Sequence, residues 1–348
     1  MDTKNILFVV GNEYHLYSAL INFYKYFCSN KYNFKLIITK RPKNLRINKD
    51  YDLPFEYFVI DDYLNFEDFR SVEEYPDYEK ILDNIFSRVD ELYTYFDFTL
   101  LSSLIINWAK RNQGLRSYLV HEGVAGYFIY KMPLRKLIKF YMVYLYLKFY
   151  KKIRLIDFVY QWGYSSKIDV LKMVYPDEVK IKTRSVIERL DIGTTPEIHR
   201  EIKKIFRFDF HFLKDQKYLL YMPIGLARGS KDAKIKEYEL IYKLISIAKS
   251  KGMEFLIKIK SGVESLSYKD RYGDLVRIID DKVPAEIIIT DLHNSVIISA
   301  FSSAILHNVN NNKYFWIYPL LSFKTNLKPF TSSVKLIHSY DELERCIQ

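Results

Sequence analysis

Residues Val283 to Asn308 read VPAEIIITDLHNSVIISAFSSAILHN, and the order of signals within them decides the fold. Pro284-Ala285-Glu286 opens a short apolar segment, read as a helical turn. Val296 to Ser299 is a β-branched run, the pattern of a buried strand. Phe301-Ser302-Ser303-Ala304 then predicts a turn into a helix, with Ser302 or Ser303 in the N-cap region. The first N–H groups of such a helix are unpaired, its dipole favours negative charge, and the hydroxyls add donors. A phosphate fits such a site. Two serines at this place also serve as plain helix caps, and the stretch alone leaves both readings open.

The same alternation of strand and helix runs through the rest of the chain. Asn5 to Val10 is a buried strand ended by Gly11-Asn12. Leu16, Leu20, Phe23 and Phe27 follow at helical spacing. Strands are predicted at Phe34–Thr39, Phe55–Ile60, Tyr118–Val120 and Ile156–Trp162, and helices at 76–95 and 98–112. The rhythm restarts with strands at Lys217–Met222, Glu254–Lys260, Val276–Ile279 and Tyr314–Tyr318, and a helix at 232–250. Ser339 and Glu342 are spaced as a capping box for a last helix. Two α/β series in tandem predict two Rossmann-like domains facing a cleft, residues 1–195 and 215–348, joined by a linker over 196–214. Ligands of such sheets bind beyond the C-terminal ends of the strands. The loops after Val10, Val120, Met222, Lys260 and Ser299 occupy that edge.

A chain of 348 residues suits two such domains. Its two cysteines, Cys28 and Cys346, give neither a disulfide framework nor a metal pattern, which predicts a reducing, cytoplasmic setting. The opening MDTKNILFVVG lacks the basic leader and long apolar run of a signal peptide. No run reaches the length of a membrane-spanning helix. The formal net charge of +11 favours anionic partners: nucleotides, acidic glycans or anionic lipid. Nucleic acid is not expected, because zinc-finger spacing, an RNP sequence and a helix-turn-helix are all missing. The 31 tyrosines and 24 phenylalanines fit an A/T-rich genome or an aromatic-lined groove.

Lys131 to Arg154, KMPLRKLIKFYMVYLYLKFYKKIR, departs from the α/β rhythm. It is basic at both ends and aromatic-aliphatic between, too short in its apolar part to span a bilayer. It is either a buried helix pair or an interfacial helix.

Candidate chemistry sits at the predicted strand ends. His121-Glu122-Gly123 follows a strand, so Glu122 is placed to act as general base on an acceptor hydroxyl, with His121 orienting it and Gly123 allowing a sharp turn. Lys258 and Lys260 share a strand face by period-two alternation and are placed to neutralise a phosphate. A solvated edge strand with outward charges gives the same pattern. Asp61-Asp62 and Asp280-Asp281 are read as turn residues, and no metal is expected.

The order of these features resembles bacterial sialyltransferases and polysialyltransferases of the GT-B type, which use CMP-activated sugars. Gly11-Asn12-Glu13-Tyr14-His15-Leu16-Tyr17-Ser18-Ala19 is similar to their first turn, T-P-x-[QH]-L-x-x-A, with Asn12-Glu13 in place of Thr-Pro. His121-Glu122-Gly123 keeps the second acid of their [DE]-[DE]-G motif. Lys258-Ile259-Lys260-Ser261 stands where they carry K-x-H-P. Pro284-Ala285-Glu286 and Ser302-Ser303 match their P-x-E and S-S motifs, in order. The resemblance implies a GT-B fold and an inverting, metal-independent transfer from a CMP-sugar, with no cofactor. It implies Glu122 as base, Ser302 and Ser303 on the donor phosphate and Glu286 on the ribose hydroxyls. Lys260 takes the place of the family histidine, and keeps its charge but not its titration near neutral pH. Lys258, Ser261 and Gly225 are further expected donor-side residues, and Asn12, Tyr14, His15 and Gly123 line the acceptor side.

Expected partners are therefore a nucleotide-sugar donor, a glycan or glycolipid acceptor in surface polysaccharide synthesis, and an anionic membrane face touched peripherally. The alternatives are a non-catalytic relative that binds anionic glycan or lipid, and a transferase of a CMP-Kdo or CDP-polyol donor. Oligomeric state is not legible.

Overall fold

The computed structural model describes the chain apart from residues 1–2, 41–50, 65–71, 112–113, 129–131, 209–215, 224–230, 260–264, 280–281, 301, 307–308, 322–327, 330 and 348. It divides into two compact units, Met1–Ile198 and His199–Gln348.

The first unit is built on a seven-stranded parallel sheet: β1 (Lys4–Val10), β2 (Tyr32–Lys40), β3 (Glu56–Asp61), β4 (Glu91–Thr94), β5 (Arg116–Val120), β6 (Val170–Met173) and β7 (Val186–Arg189). The order is β3-β2-β1-β4-β5-β6-β7, so the winding reverses between β1 and β4. Its helices are α1 (Glu13–Asn22), α2 (Tyr78–Ile85), α3 (Leu100–Ala109) and α4 (Leu134–Leu145). β1 is apolar on both faces from Ile6 to Val10, as a central strand covered on both sides must be. Part of the aromatic excess is a ladder across this sheet. Phe8, Tyr93 and Tyr118 occupy paired registers on β1, β4 and β5, and their rings stack at 4.4 and 4.3 Å. The Tyr93 hydroxyl donates to Glu91 at 2.8 Å, so the ring is buried without an orphaned polar atom.

The second unit begins within α5 (Pro196–Ile205) and repeats the plan. Its strands are β8 (Tyr218–Met222), β9 (Glu254–Lys258), β10 (Arg277–Ile279), β11 (Val296–Ser299), β12 (Lys313–Trp316) and β13 (Val334–Leu336). They are all parallel, in the order β10-β9-β8-β11-β12-β13, with the reversal between β8 and β11. The helices are α6 (Lys231–Ser250), α7 (Ser265–Tyr272), α8 (Ala285–Asp291) and α9 (Tyr340–Cys346). α5 is fastened to this unit by Asp291, which accepts from Lys203 at 2.6 Å and lies 2.8 Å from His199 Nε2. Ser339 caps α9 by accepting the Glu342 N–H, and Glu342 accepts the His338 N–H in return, one residue earlier than a reciprocal box requires.

The structure departs from the sequence reading in five places. Residues 76–95 are not one helix. α2 stops at Ile85 and Glu91–Thr94 is the central strand β4, whose four residues are all buried and show no alternation. Ile156–Trp162 is not a strand. Its start is tied to α3 instead, where Ser103 Oγ accepts the Asp157 N–H and Asn107 donates to Leu155 O just before it. The short strands β6, β7 and β13 were not foreseen. The segment 196–214, read as linker, starts as helix α5. The helix expected after Ser302-Ser303 is a single 3₁₀ turn, Ser303–Leu306.

Candidate functional site

In the first unit the reversal of winding lies between β1 and β4, the point where such sheets hold ligands. The chain leaves β1 at Gly11, where a Cβ would meet Thr39 Oγ1 at 3.2 Å and the Phe96 ring at 3.3 Å. The Asn12 side chain caps α1 by accepting the His15 N–H at 2.9 Å. This places His15 in the first turn of α1, fully buried and stacked on Tyr95 at 4.3 Å.

Gly11 N–H donates to His15 Nδ1 at 3.1 Å, so the imidazole proton resides on Nε2. Nε2 lies 3.0 Å from the Asn12 amide nitrogen, itself a donor, and 3.9 Å from Glu122 Oε1. At 3.9 Å the Glu122 carboxylate stands beyond hydrogen-bond distance of Nε2, and the Asn12 amide nitrogen is the closer group. Burial pushes His15 below the usual imidazole range, and the nearby Glu122 charge opposes that shift. Glu122 itself follows β5 and keeps part of its side chain in solvent. Gly123 next to it has φ +62°, a conformation in which a side chain is strained.

His121 points the other way. Its N–H extends the β5 ladder to Lys172 O, and its ring is buried. The Tyr127 hydroxyl accepts the Tyr175 N–H at 3.1 Å, which leaves its own proton for His121 Nδ1, also at 3.1 Å. Burial lowers His121 to about 4, so it is neutral and anchors the turn from behind. Glu13, Tyr14 and Asn12 lie in the same first turn as His15.

The loop after β4 completes this edge and was missed with that strand. Asp97 is buried and accepts from Gly163 N–H at 3.0 Å and Ser165 N–H at 2.9 Å, one bond to each oxygen. Burial raises it to about 6, more than those backbone donors lower it. A carboxyl held above its unfolded value is fully stabilising below the unfolded pKa, and that share is lost as pH rises through the folded one. Folding stability should therefore fall from about pH 4 to about pH 6 by up to about 3 kcal/mol from this group. Urea unfolding across this range should show the fall in wild type and a flatter profile in Asp97→Asn. Parallel profiles would show that Asp97 does not titrate there.

In the second unit the reversal lies between β8 and β11, and the serines follow β11. Ser299 Oγ accepts the Ser302 N–H at 2.8 Å, Ser302 Oγ accepts the Ala304 N–H at 3.2 Å, and Trp316 Nε1 donates to Ser302 O at 3.3 Å. These bonds fix the turn and use only acceptor capacity of the Ser302 hydroxyl, so its proton is left to donate. The four-residue turn that follows is too short for the dipole expected from a helix. An anion there would be held by hydroxyls and N–H groups alone. Glu286 is buried in the first turn of α8. Lys258 is not on a solvated edge: β9 lies between β10 and β8, and Lys258 is buried with Nζ donating to Ile259 O at 2.5 Å. Lys260, Ser261 and Gly225 lie outside the described residues. The structure thus brings Glu122, His15 and Asn12 together in one unit. In the other it sets Lys258 and the serines at the same sheet edge.

No family model matches the chain, and no curated protein sequence matches it. Solved structures do. The α/β-galactoside α-2,3-sialyltransferase of Photobacterium phosphoreum superposes with a TM-score of 0.51 at 12% identity, over 97% of this chain and 99% of that one. MnaA of S. aureus, solved with UDP, gives a TM-score of 0.51 at 10% identity, over 90% of this chain and 79% of that one. At such identities the likeness is one of fold, and the fold is GT-B, two Rossmann-like units in tandem.

Proposed function

We propose that the chain is a glycosyltransferase that moves a sialic-acid-like sugar from a CMP-activated donor to a hydroxyl of a glycan or glycolipid, with inversion and without a metal or other cofactor. The observation that carries this reading is the Glu122 carboxylate, partly open to solvent at the end of β5, with Nε2 of the buried, neutral His15 3.9 Å away. Such a pair suits a general base. The carboxylate takes the proton of the acceptor hydroxyl as its oxygen attacks the anomeric carbon, and the bond to the donor phosphate breaks with its electron pair leaving on CMP. Developing charge on that phosphate needs fixed donors and positive charge. Ser302, Ser303, Lys258 and Lys260 supply them in this scheme, and Glu286 takes the ribose hydroxyls. The likeness in fold to a sialyltransferase supports the reaction class, and the order of short motifs supports the CMP donor.

The acceptor in this reading belongs to a surface polysaccharide, and the protein works in the cytoplasm, peripherally on the inner membrane face. Among the described residues no helix is long and apolar enough to cross a membrane.

His15 acts here through Glu122, as a positioning residue. His15→Phe keeps a ring on Tyr95 and removes the Nε2–H. It should lower kcat about tenfold with KM little changed. An unchanged kcat would leave His15 a packing residue only. The reading as a whole is tested by CMP release from a panel of CMP-sugars, including CMP-Kdo. Release from none of them, with CMP still bound, would instead favour a non-catalytic binder.

A further inference from the structure

We propose that the outward face of α4 and its π-helical extension is the surface that docks the protein on an anionic lipid bilayer. This rests on the membrane placement in the function proposed above and names the residues that achieve it. α4 continues without a break into a π-helical turn, Tyr146–Tyr150, so residues 134–150 form one rod. The rod packs on its own unit through Val143 and Leu147, both buried. A surface helix needs one apolar stripe for that purpose. This one has a second. Leu134, Ile138, Tyr141, Met142, Phe149 and Tyr150 are all exposed, Leu134 at 70%, Phe149 at 69% and Tyr150 at 71%. The first four follow i, i+4, i+7, i+8 spacing and lie on one side of the helix. A contiguous apolar stripe left in water marks an interaction surface. It also rules out the buried helix pair that the sequence allowed.

The charges beside it identify the partner. Between Glu122 and Asp157 the sequence has no acidic residue. Arg135 and Lys139 stand exposed along one flank of the stripe, with Lys136 nearby and Lys152 and Arg154 exposed beyond its end. An apolar stripe flanked along its helix by Arg135 and Lys139 matches an anionic interface, with aliphatic and aromatic groups among the acyl chains and cations at the headgroups. A second copy of this chain fits worse. A twofold pairing through the stripe would bring the like charges of Arg135 and Lys139 together with those of the second copy.

Not every basic residue of the segment faces outward. Lys148 Nζ donates to the Tyr144 hydroxyl at 2.7 Å, and Lys151 Nζ donates to Glu73 O at 3.0 Å. Substituting these two would disturb internal bonds, so they are poor probes of docking. Arg135, Lys139 and Lys152 are the better ones.

The test is flotation of the full-length protein with vesicles of phosphatidylcholine alone or mixed with phosphatidylglycerol. Wild type should float with the mixed vesicles, be largely released by raised salt, and stay behind with phosphatidylcholine. Ile138→Ser with Met142→Ser and Phe149→Ser should cut the bound fraction about tenfold or more. Arg135→Gln with Lys139→Gln and Lys152→Gln should cut it too, and should weaken its salt dependence. Both sets should unfold at the wild-type temperature and release CMP at the wild-type rate with a soluble acceptor. Failure of wild type to float, or equal flotation of the serine variant, overturns the docking face. So does a dimer in solution that the serine variant dissolves, since the stripe is then covered by a second copy. Flotation in the expected pattern by a chain that releases no CMP supports the docking face and overturns the transfer reading instead.

Discussion

Glu122→Gln should lower turnover about 100-fold or more while leaving the fold and CMP affinity as they are, the usual scale for loss of a general base. The amide is nearly isosteric with the carboxylate. The side chain lies partly in solvent, so no buried charge is left unpaired. What disappears is the ability to take a proton from the acceptor hydroxyl. The loss should appear in kcat and kcat/KM alike, since the interaction belongs to the transition state. Glu122→Asp shortens the reach and should recover only part of the rate. Near-normal turnover in Glu122→Gln would remove this residue as the base. Glu13, in the first turn of α1, would be the next carboxylate to test.

Ser302→Ala combined with Ser303→Ala should weaken CMP binding about 100-fold or more and leave cytidine binding nearly unchanged. Hydrogen bonds to a charged phosphate are each worth about 1.5–3 kcal/mol, and cytidine has no phosphate to lose them. The Ser302 hydroxyl is oriented for this role, because its oxygen already accepts the Ala304 N–H and its own proton is left to donate. Removing that acceptor loosens the turn, so thermal unfolding should be followed in parallel. Calorimetry showing equal losses for CMP and cytidine would mean that the pair only shapes the turn after β11.

Much of the fold was legible because parallel sheets bury their central strands on both faces. β1, β5, β8 and β11 announce themselves as apolar runs closed by a Gly, His-Glu-Gly, Pro or Ser turn. β4 did not, although it sits at the centre of its sheet. Four residues are too few to show a period. Their flanking signals, Asp90 before and Asp97 after an aromatic run, are shared with helix ends. With β4 went the loop that carries Tyr95, Phe96 and Asp97, and so the aromatic wall behind His15. Glu122 and His15 were each singled out, yet their meeting was not. It depends on β1 and β5 both flanking β4, which is a fact of strand order. For Lys258 the sequence left a phosphate contact and a solvated edge strand open, and the structure excludes the second: alternation tells which face a side chain takes, not whether that face is covered. The serines were placed correctly after their strand, but an expected helix shrank to a 3₁₀ turn. Its continuation Ala304-Ile305-Leu306 is apolar in every position and buried, and offers no polar side to solvent.

The central claim is that the chain transfers sugar from a CMP-activated donor with Glu122 as base. CMP release should be measured with CMP-, UDP- and ADP-sugars, with a panel of glycan and glycolipid acceptors, for wild type and Glu122→Gln side by side. The account predicts acceptor-dependent release of CMP by wild type, little or no release of UDP or ADP, and loss of nearly all CMP release in the variant. Turnover of a UDP- or ADP-sugar in place of every CMP-sugar, or undiminished CMP release by Glu122→Gln, would contradict it.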